Sequence, residues 1–270
     1  MINIILFRME FRRNVRSMVL WSVTICALIF FTMSLFRSVL QYQQQIMGMV
    51  KIVPMAAMKA RGFGNITDIF SGLGFYAANN IVYMMLLGSI YSMVLSSNIL
   101  LKEEYLKTAE YLMSRPISRD EIFASKLAVA LLNIATLNLV AGITGFISLI
   151  VFRSGDIVIH PFLIITLYTF LLNLFFGALG VIVAVMIRRP RPVTFFCVGL
   201  ILVFYFIFTI SRISGVSGEF GYVSPFKWVN MDVLKSDFSF EFWRIALFLG
   251  LALLLSGLSL MIYRKKDILT

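Results

Sequence analysis

Long stretches without a charged residue constrain this chain more than any other feature of its sequence. Six of them, made mostly of apolar residues, are about 20 residues or longer, enough to cross the ~30 Å hydrocarbon core of a bilayer as an α-helix. Because unpaired backbone polar groups are costly in lipid, spans of this kind are helical. The six predicted spans are residues 17–36, 69–101, 127–152, 157–187, 193–211 and 245–263.

The composition agrees with a surface that faces lipid. Of the 270 residues, 60% are apolar and only 14% are charged, whereas a soluble domain carries roughly 25% charged residues. We therefore expect a single all-α transmembrane domain over residues 1–270. The net charge of +11 does not indicate a nucleic-acid partner, because the basic residues flank the apolar stretches instead of forming one patch.

The distribution of basic residues predicts the orientation. Most of the 24 Lys and Arg residues fall in segments that six spans would place on one side, namely the two termini and the loops after the second and fourth spans. By the positive-inside rule that side is cytoplasmic. We expect a multi-pass protein of the plasma (inner) membrane with both termini in the cytoplasm.

Residues 1–18 have an amphipathic pattern. Their basic residues occupy one side of a helical wheel, and this predicts an interfacial helix before the first span. The alternative is a basic flank without helical structure. The apolar side comprises Ile4, Phe7, Phe11, Val15 and Met18.

The charge-free stretch alone does not define where the helix of the second span begins. Gly72 and Gly74 lie early in the second apolar stretch, so we expect its helix to begin near Tyr76.

One outer loop, residues 212–244, is rich in aromatic residues. It contains a Ser-Pro-Phe turn beginning at Ser224 and several Phe and Trp residues. Aromatic side chains at this density favour packing at the headgroup level or partial re-entry into the bilayer.

The segment between the second and third spans, residues 102–120, is the most informative polar stretch. It reads as a short charged helix followed by a break, because Pro116 disfavours helical geometry at the residue before it. Ser118 and Glu121 then form an S-x-x-E capping box that starts the next helix. A helix as short as the first one is marginal alone, so we expect a partner to pack on it.

This segment resembles the first cytoplasmic loop of ABC-2-type (type V fold) ABC transporter permeases. In that family an acidic pair precedes Gly-Thr-x-Glu, and leucines, Pro, a hydroxyl residue, Arg and a helix-entering Lys follow. The sequence departs from this pattern at Lys107, where the family usually has Gly. The matching residues are Glu103, Glu104, Thr108, Glu110, Leu112, Pro116, Ser118, Arg119 and Lys126.

The resemblance implies a coupling helix at residues 103–114 that docks on a separate cytoplasmic ATPase subunit, which would hold ATP and Mg²⁺. It also implies a second permease copy or paralogue, an elbow helix at residues 1–18 and an outer re-entrant hairpin at residues 212–244. An ordinary charged loop with a helix cap is the alternative. The implied docking residues are Glu103, Glu104, Tyr105, Thr108, Glu110, Leu112, Pro116, Ser118 and Arg119.

The chain carries no catalytic motif that we recognise, and we expect it to bind no cofactor or metal itself. It has no Gly-rich phosphate loop followed by Lys-Ser/Thr. Its one histidine, His160, precedes a proline at a membrane edge, whereas zinc catalysis needs about three protein ligands. The apolar stretches hold no ionisable residue apart from His160. Secondary transporters usually place one there for ion coupling, so an external energy source is favoured.

Polar and aromatic residues inside the spans are the candidates for a substrate path. Buried amides in lipid-embedded helices must find hydrogen-bond partners, so adhesion between helices is the alternative role. An uncharged aromatic path would suit an amphipathic, peptide-like or lipid-like cargo, and export is the expected direction. A non-transporting scaffold or sensor coupled to an ATPase is the rival function. The predicted pathway residues are Asn79, Asn80, Ser92, Phe196, Phe204 and Phe208.

Overall fold

The described residues contain six long helical spans, as predicted. The computed structural model describes residues 2–50, 70–106, 117–152, 159–187, 193–214, 220–229 and 240–266, and in these ranges it contains helices and no β-strand. All six helices are long and apolar enough to cross a membrane.

The bounds of the elements follow the charge-free stretches and extend beyond them at several ends. The helices are α1 (Ile4–Gln41), α2 (Gln43–Val50), α3 (Gly72–Asn80), the π segment (Ile81–Leu87), α4 (Gly88–Tyr105), α5 (Arg119–Val151), α6 (Ile159–Met186), α7 (Thr194–Ser214) and α8 (Phe242–Lys265). Span one is α1, and span two consists of α3, the π segment and α4. Spans three to six are α5, α6, α7 and α8.

Helix α1 joins the amphipathic N-terminal segment to the first span without interruption. The side chain of Asn3 caps it by accepting from the backbone N–H groups of Ile5 and Leu6. No Gly or Pro occurs between Ile4 and Gln41 to break it. Residues 4–18 are therefore continuous with the helix of span one, and an elbow helix along the membrane surface at residues 1–18 stays a prediction.

Span two begins earlier than expected and is not a uniform α-helix. It starts at Gly72 and not near Tyr76, because the hydroxyl of Ser71 accepts from the Gly74 N–H and supports the first turn. The π segment follows, and the N–H of Gly88 bonds to the carbonyl of Tyr83, five residues back. A π segment inside a membrane helix is rare and frequently marks a functional site.

Spans two and four form the centre of the bundle. In the most apolar stretch of span two, 72% of residues are buried, whereas only 22% are buried in span five and 11% in span six. The most extensive contacts join span two to span four, span one to span three, and span six to span four. Spans five and six therefore expose most of their apolar side chains, which fits contact with lipid or with another membrane subunit.

Close helix contact depends on glycines, as expected for helices that pack in lipid. A methyl group on Gly180 would overlap the backbone carbonyl of Met93, and one on Gly145 would overlap the Tyr76 side chain. Between the same spans, Asn173 donates to Asn138 over 3.0 Å and accepts from Ser89 over 3.2 Å. Side-chain hydrogen bonds thus tie spans two, three and four together near their middles.

The described part of residues 212–244 folds back onto the bundle. Two 3₁₀ turns, Phe220–Val223 and Pro225–Trp228, follow α7. Ser224 donates 2.7 Å to the carbonyl of Phe204, the middle residue of α7, and the fully buried Phe226 ring lies 5.2 Å from the Phe176 ring. The turn predicted at Ser224 is present, whereas re-entry into the bilayer by residues 212–244 stays a prediction.

We predict that Gly180→Ala destabilises the bundle and that Gly199→Ala does not. The first methyl group meets backbone atoms of α4, and overpacking of this kind costs about 1–3 kcal/mol. The second meets no atom within 4 Å, so it keeps the helix-propensity gain of about 1 kcal/mol. Unfolding in mixed detergent micelles measures both variants. Equal midpoints would contradict the close contact between spans two and four.

Candidate functional site

The candidate site is the end of the bundle that carries most of the ion pairs. It is formed by α1, α4, α5 and α8, and we call it the charged end. Here α1 begins, α4 ends at Tyr105, α5 begins at Arg119, and α8 ends at Lys265. Segment 107–116, which connects α4 to α5, lies outside the described residues. Its two neighbours, Leu106 and Ile117, are described.

The start of α5 is built by the predicted capping box. The Ser118 hydroxyl accepts from the Glu121 N–H over 3.2 Å, and the Glu121 carboxylate accepts from the Ser118 N–H over 3.1 Å. Asp120 and Glu121 both lie in the first turn, where negative charge is favoured by the helix dipole. This end of the loop is thus fixed locally by its own sequence.

Glu103, on the last turn of α4, belongs to a buried ionic cluster that joins three spans. Its carboxylate pairs with Lys126 of α5, whose ammonium also donates 2.9 Å to the carbonyl of Ile99. Arg13 of α1 lies 3.7 Å from Glu103 and 3.1 Å from the buried Glu10. Lys126 is only 1% exposed, and a buried charge of this kind requires its partner.

Glu104 makes a second buried pair, with a residue from the far end of the chain. Lys266, directly after α8, lies 2.9 Å from both carboxylate oxygens of Glu104. Both side chains are less than a tenth exposed. The same ammonium lies 3.4 Å from the carbonyl of Ala184 near the end of α6. One cation thus connects spans two, four and six.

The first residues of α5 hold the end of α8 from the other side. Arg119 donates to the carbonyls of Arg264 and Lys266 over 3.0 and 2.9 Å. Asp120 accepts two 2.7 Å hydrogen bonds from the Arg264 guanidinium. This last pair is about half exposed, so it contributes less stability than a buried pair.

The described docking residues bond mainly within the chain. Glu103 and Glu104 are the two residues before Tyr105, the last residue of α4. The helix of span two therefore includes the first residues of the predicted coupling helix, and the rest of that helix, at residues 107–114, stays a prediction outside the described residues. Their carboxylates point to Lys126 and Lys266, and Ser118 and Arg119 also have partners within the chain. Tyr105 is described only by its backbone. Outside the described residues lie Thr108, Glu110, Leu112 and Pro116.

The structure does not gather the predicted pathway residues around one space. Asn79 and Ser92 donate to carbonyls of their own helix, and Asn80 is buried. On span five, Phe208 is buried against Phe226. The Phe204 ring lies 6.3 Å from the Phe176 ring, and Phe196 is 59% exposed on the outside of the bundle. Their role in transport stays a prediction.

A family comparison agrees with this arrangement. The model of the ABC-2 family transporter proteins matches residues 4–268, almost the whole chain. The chain belongs to the ABC-2 family. A comparison with curated proteins finds no match. Membership makes the chain a multi-pass membrane component of an ABC transporter, a class in which ATPase subunits supply the energy.

Sequence reasoning missed several residues of the charged end of this ABC-2 permease. Glu10 is the one acidic residue in a basic amphipathic segment, and that exception could have indicated a buried partner. Arg264 and Lys266 read as an ordinary basic flank. Only the fold brings Lys266 to Glu104, 162 residues earlier.

We predict that Lys126→Met strongly destabilises the ABC-2 permease. It leaves the Glu103 carboxylate buried beside Glu10 without its main cation, and breaking a buried pair costs about 3–5 kcal/mol. Lys265→Met, at an exposed position of the same end, should change stability by less than about 0.5 kcal/mol. Unfolding in micelles checks both. Adding Glu103→Gln to Lys126→Met should restore part of the loss, and no restoration would argue against a direct pair.

Proposed function

We propose that this chain is the permease subunit of an exporter driven by ATP hydrolysis on separate ATPase subunits. Two copies, or one copy and a paralogue, would form the membrane part of the complex in the plasma membrane. The charged end would face the cytoplasm with both termini. Family membership supports the permease role, and the excess of basic residues at this end supports the orientation.

The observation that carries the coupling role is the way both flanks of segment 107–116 are fixed. On one side Glu103 and Glu104 are held by two buried cations, Lys126 of α5 and Lys266 directly after α8. The partly exposed Arg13 of α1 also lies near Glu103, and on the other side α5 starts with a complete capping box. A segment fixed to the bundle at both ends can pass a displacement to the spans. We therefore assign the ATPase contact to residues within 107–116, with Thr108, Glu110 and Leu112 as the contact residues.

The energy source follows from where the charges lie. In the described spans the paired acidic and basic residues lie at or near helix ends, and the middle layer contains hydrogen-bonded amides such as Asn138 and Asn173. An ion-coupled carrier usually needs a titratable group near the bilayer midplane. This supports ATP hydrolysis on a partner subunit as the driving reaction.

The cargo class is inferred from span five. Its outward side presents aromatic and aliphatic residues, with Phe195 at 86% and Phe206 at 62% exposure. An uncharged aromatic surface would suit an amphipathic, peptide-like or lipid-like molecule, because such a molecule partitions into the bilayer next to this surface. Export is the direction we propose for it.

We predict that Glu110→Lys abolishes copurification of the ATPase subunit and that Asp156→Lys does not. Both replace an acidic loop residue by a basic one, but Glu110 lies in the proposed docking segment and Asp156 in the loop between spans three and four, on the opposite side of the membrane. Copurification in mild detergent and vanadate-sensitive ATP hydrolysis measure the effect. Loss of a docking contact should lower the association at least ten-fold, since a hot-spot residue contributes about 2 kcal/mol or more.

Two outcomes would contradict the proposal. If Glu110→Lys binds the ATPase as tightly as the unchanged chain, the docking segment is misassigned. If the complex hydrolyses ATP in proteoliposomes and no amphipathic compound crosses the membrane, the scaffold or sensor function is favoured over transport.

A further inference from the structure

Span six is the least buried span, yet its inner end makes ion pairs and hydrogen bonds to other spans. Among its described residues only Phe248, Ser259 and Tyr263 are buried, so most of α8 faces outward. In lipid no hydrophobic driving force joins helices, so side-chain packing and polar bonds hold them together. What holds the inner end of span six in place must therefore be polar bonding and local packing.

That bonding is concentrated in residues 264–266. Lys266 reaches the buried carboxylate of Glu104 on α4, and Arg264 pairs with Asp120 on α5. Just before them, the Tyr263 ring packs 5.6 Å from the Phe123 ring of α5. The end of span six thus contacts both helices that border segment 107–116.

Arg119 of α5 adds hydrogen bonds to the backbone at the end of α8. Its guanidinium donates to the backbone carbonyls of Arg264 and Lys266, at the end of α8, where the last carbonyls have no partner in the helix. A cation at a helix C-terminus is also favoured by the helix dipole. Because the bonds go to backbone atoms, Arg119 fixes the path of the chain and not only one side chain.

Glu104 and Arg119 stand on opposite sides of the segment that we assign to ATPase docking. Glu104 lies two residues before Leu106, and Arg119 lies two residues after Ile117. Residues 264–266 therefore bridge the two flanks from outside the loop. Neither flank can move away from the other without breaking a buried ion pair or two backbone hydrogen bonds.

We infer that residues 264–266 act as a C-terminal clamp that makes span six move with the loop between spans two and three. Glu104, Lys266 and Arg119 are positioning residues in this clamp. The direction of force rests on the proposed function, because it requires a partner that displaces segment 107–116. Without the clamp, span six would be linked to that movement mainly through its apolar contacts with span four.

The static clamp is tested on the full chain alone, in nanodiscs, by hydrogen exchange of the amides at residues 258–266. Lys266→Met should raise their exchange by about ten-fold, because it leaves Glu104 buried and unpaired. Asp120→Asn is the matched control. It loses the exposed pair with Arg264 and should raise exchange by no more than about two-fold.

A charge exchange guards against general unfolding in the first variant. Glu104→Lys combined with Lys266→Glu should return exchange at residues 258–266 towards that of the unchanged chain, while each single change raises it. If Lys266→Met and Asp120→Asn behave alike, or the exchanged pair restores nothing, there is no clamp.

Transmission is tested in the complete complex with its ATPase, trapped with ATP and vanadate. In the unchanged complex, trapping should alter exchange both at residues 118–126 and at residues 258–266. In the double variant Glu104→Gln, Lys266→Met, the change at 118–126 should remain and that at 258–266 should fall at least five-fold. An equal change at both sites would overturn transmission through the clamp.

The two proposals fail in different ways. If no ATPase associates with the unchanged chain, the proposed function and the force-transmitting role of the clamp are both wrong. The chain-alone exchange experiment still decides whether residues 264–266 hold the inner end of span six.

Discussion

The whole structure depends on the absence of water inside a bilayer, where each polar group must find its partner within the protein. Among the described residues the bundle meets this condition for most buried side chains, in two layers, whereas a few atoms such as the amide nitrogen of Asn80 and the amide oxygen of Asn133 have no hydrogen-bond partner. Amides and hydroxyls near the middle bond to one another, as Asn173 does with Asn138 and Ser89, and most ion pairs of the described residues gather at one end. Lys126 tolerates almost complete burial only because Glu103 and a backbone carbonyl face it. The same pairing fixes the helices next to the loop that gives this ABC-2 permease its resemblance to other transporters.

Much of the fold could be predicted because the relevant signals are local. A run without charges defines a span, and Ser118 with Glu121 defines the start of α5, so both predictions are confirmed. Other features depend on distant partners or on backbone geometry. Nothing in residues 81–87 distinguishes a π segment from an α-helix, and the partner of Glu104 is Lys266, directly after span six. The acidic pair therefore reads as a docking surface in the sequence, although the fold turns it inward.

The burial of Glu103 and Glu104 changes how the loop is understood. An exposed acidic pair would act by charge complementarity with a partner, and salt would screen it. A buried pair acts instead on the shape of its own chain, since it sets where α4 ends and how α1, α5 and the end of α8 pack around it. If the proposed function is right, the ATPase is recognised by residues of segment 107–116, whereas Glu103 and Glu104, which precede it in the sequence, set the position of the loop.

The π segment has a consequence for the geometry of span two. A turn with five-residue bonding holds more residues than an α turn, so α3 and α4 are out of phase with the faces that one straight α-helix would present. Tyr76 of α3 nevertheless packs against Gly145 of α5, and Glu103 of α4 meets Lys126 of α5, so both halves of span two contact span three. Residues 81–87 therefore set the rotation between α3 and α4 that lets both of these contacts form. Inserting or deleting one residue there would rotate α3 relative to α4, while the contacts of Tyr76 and of Glu103 would each keep their own register.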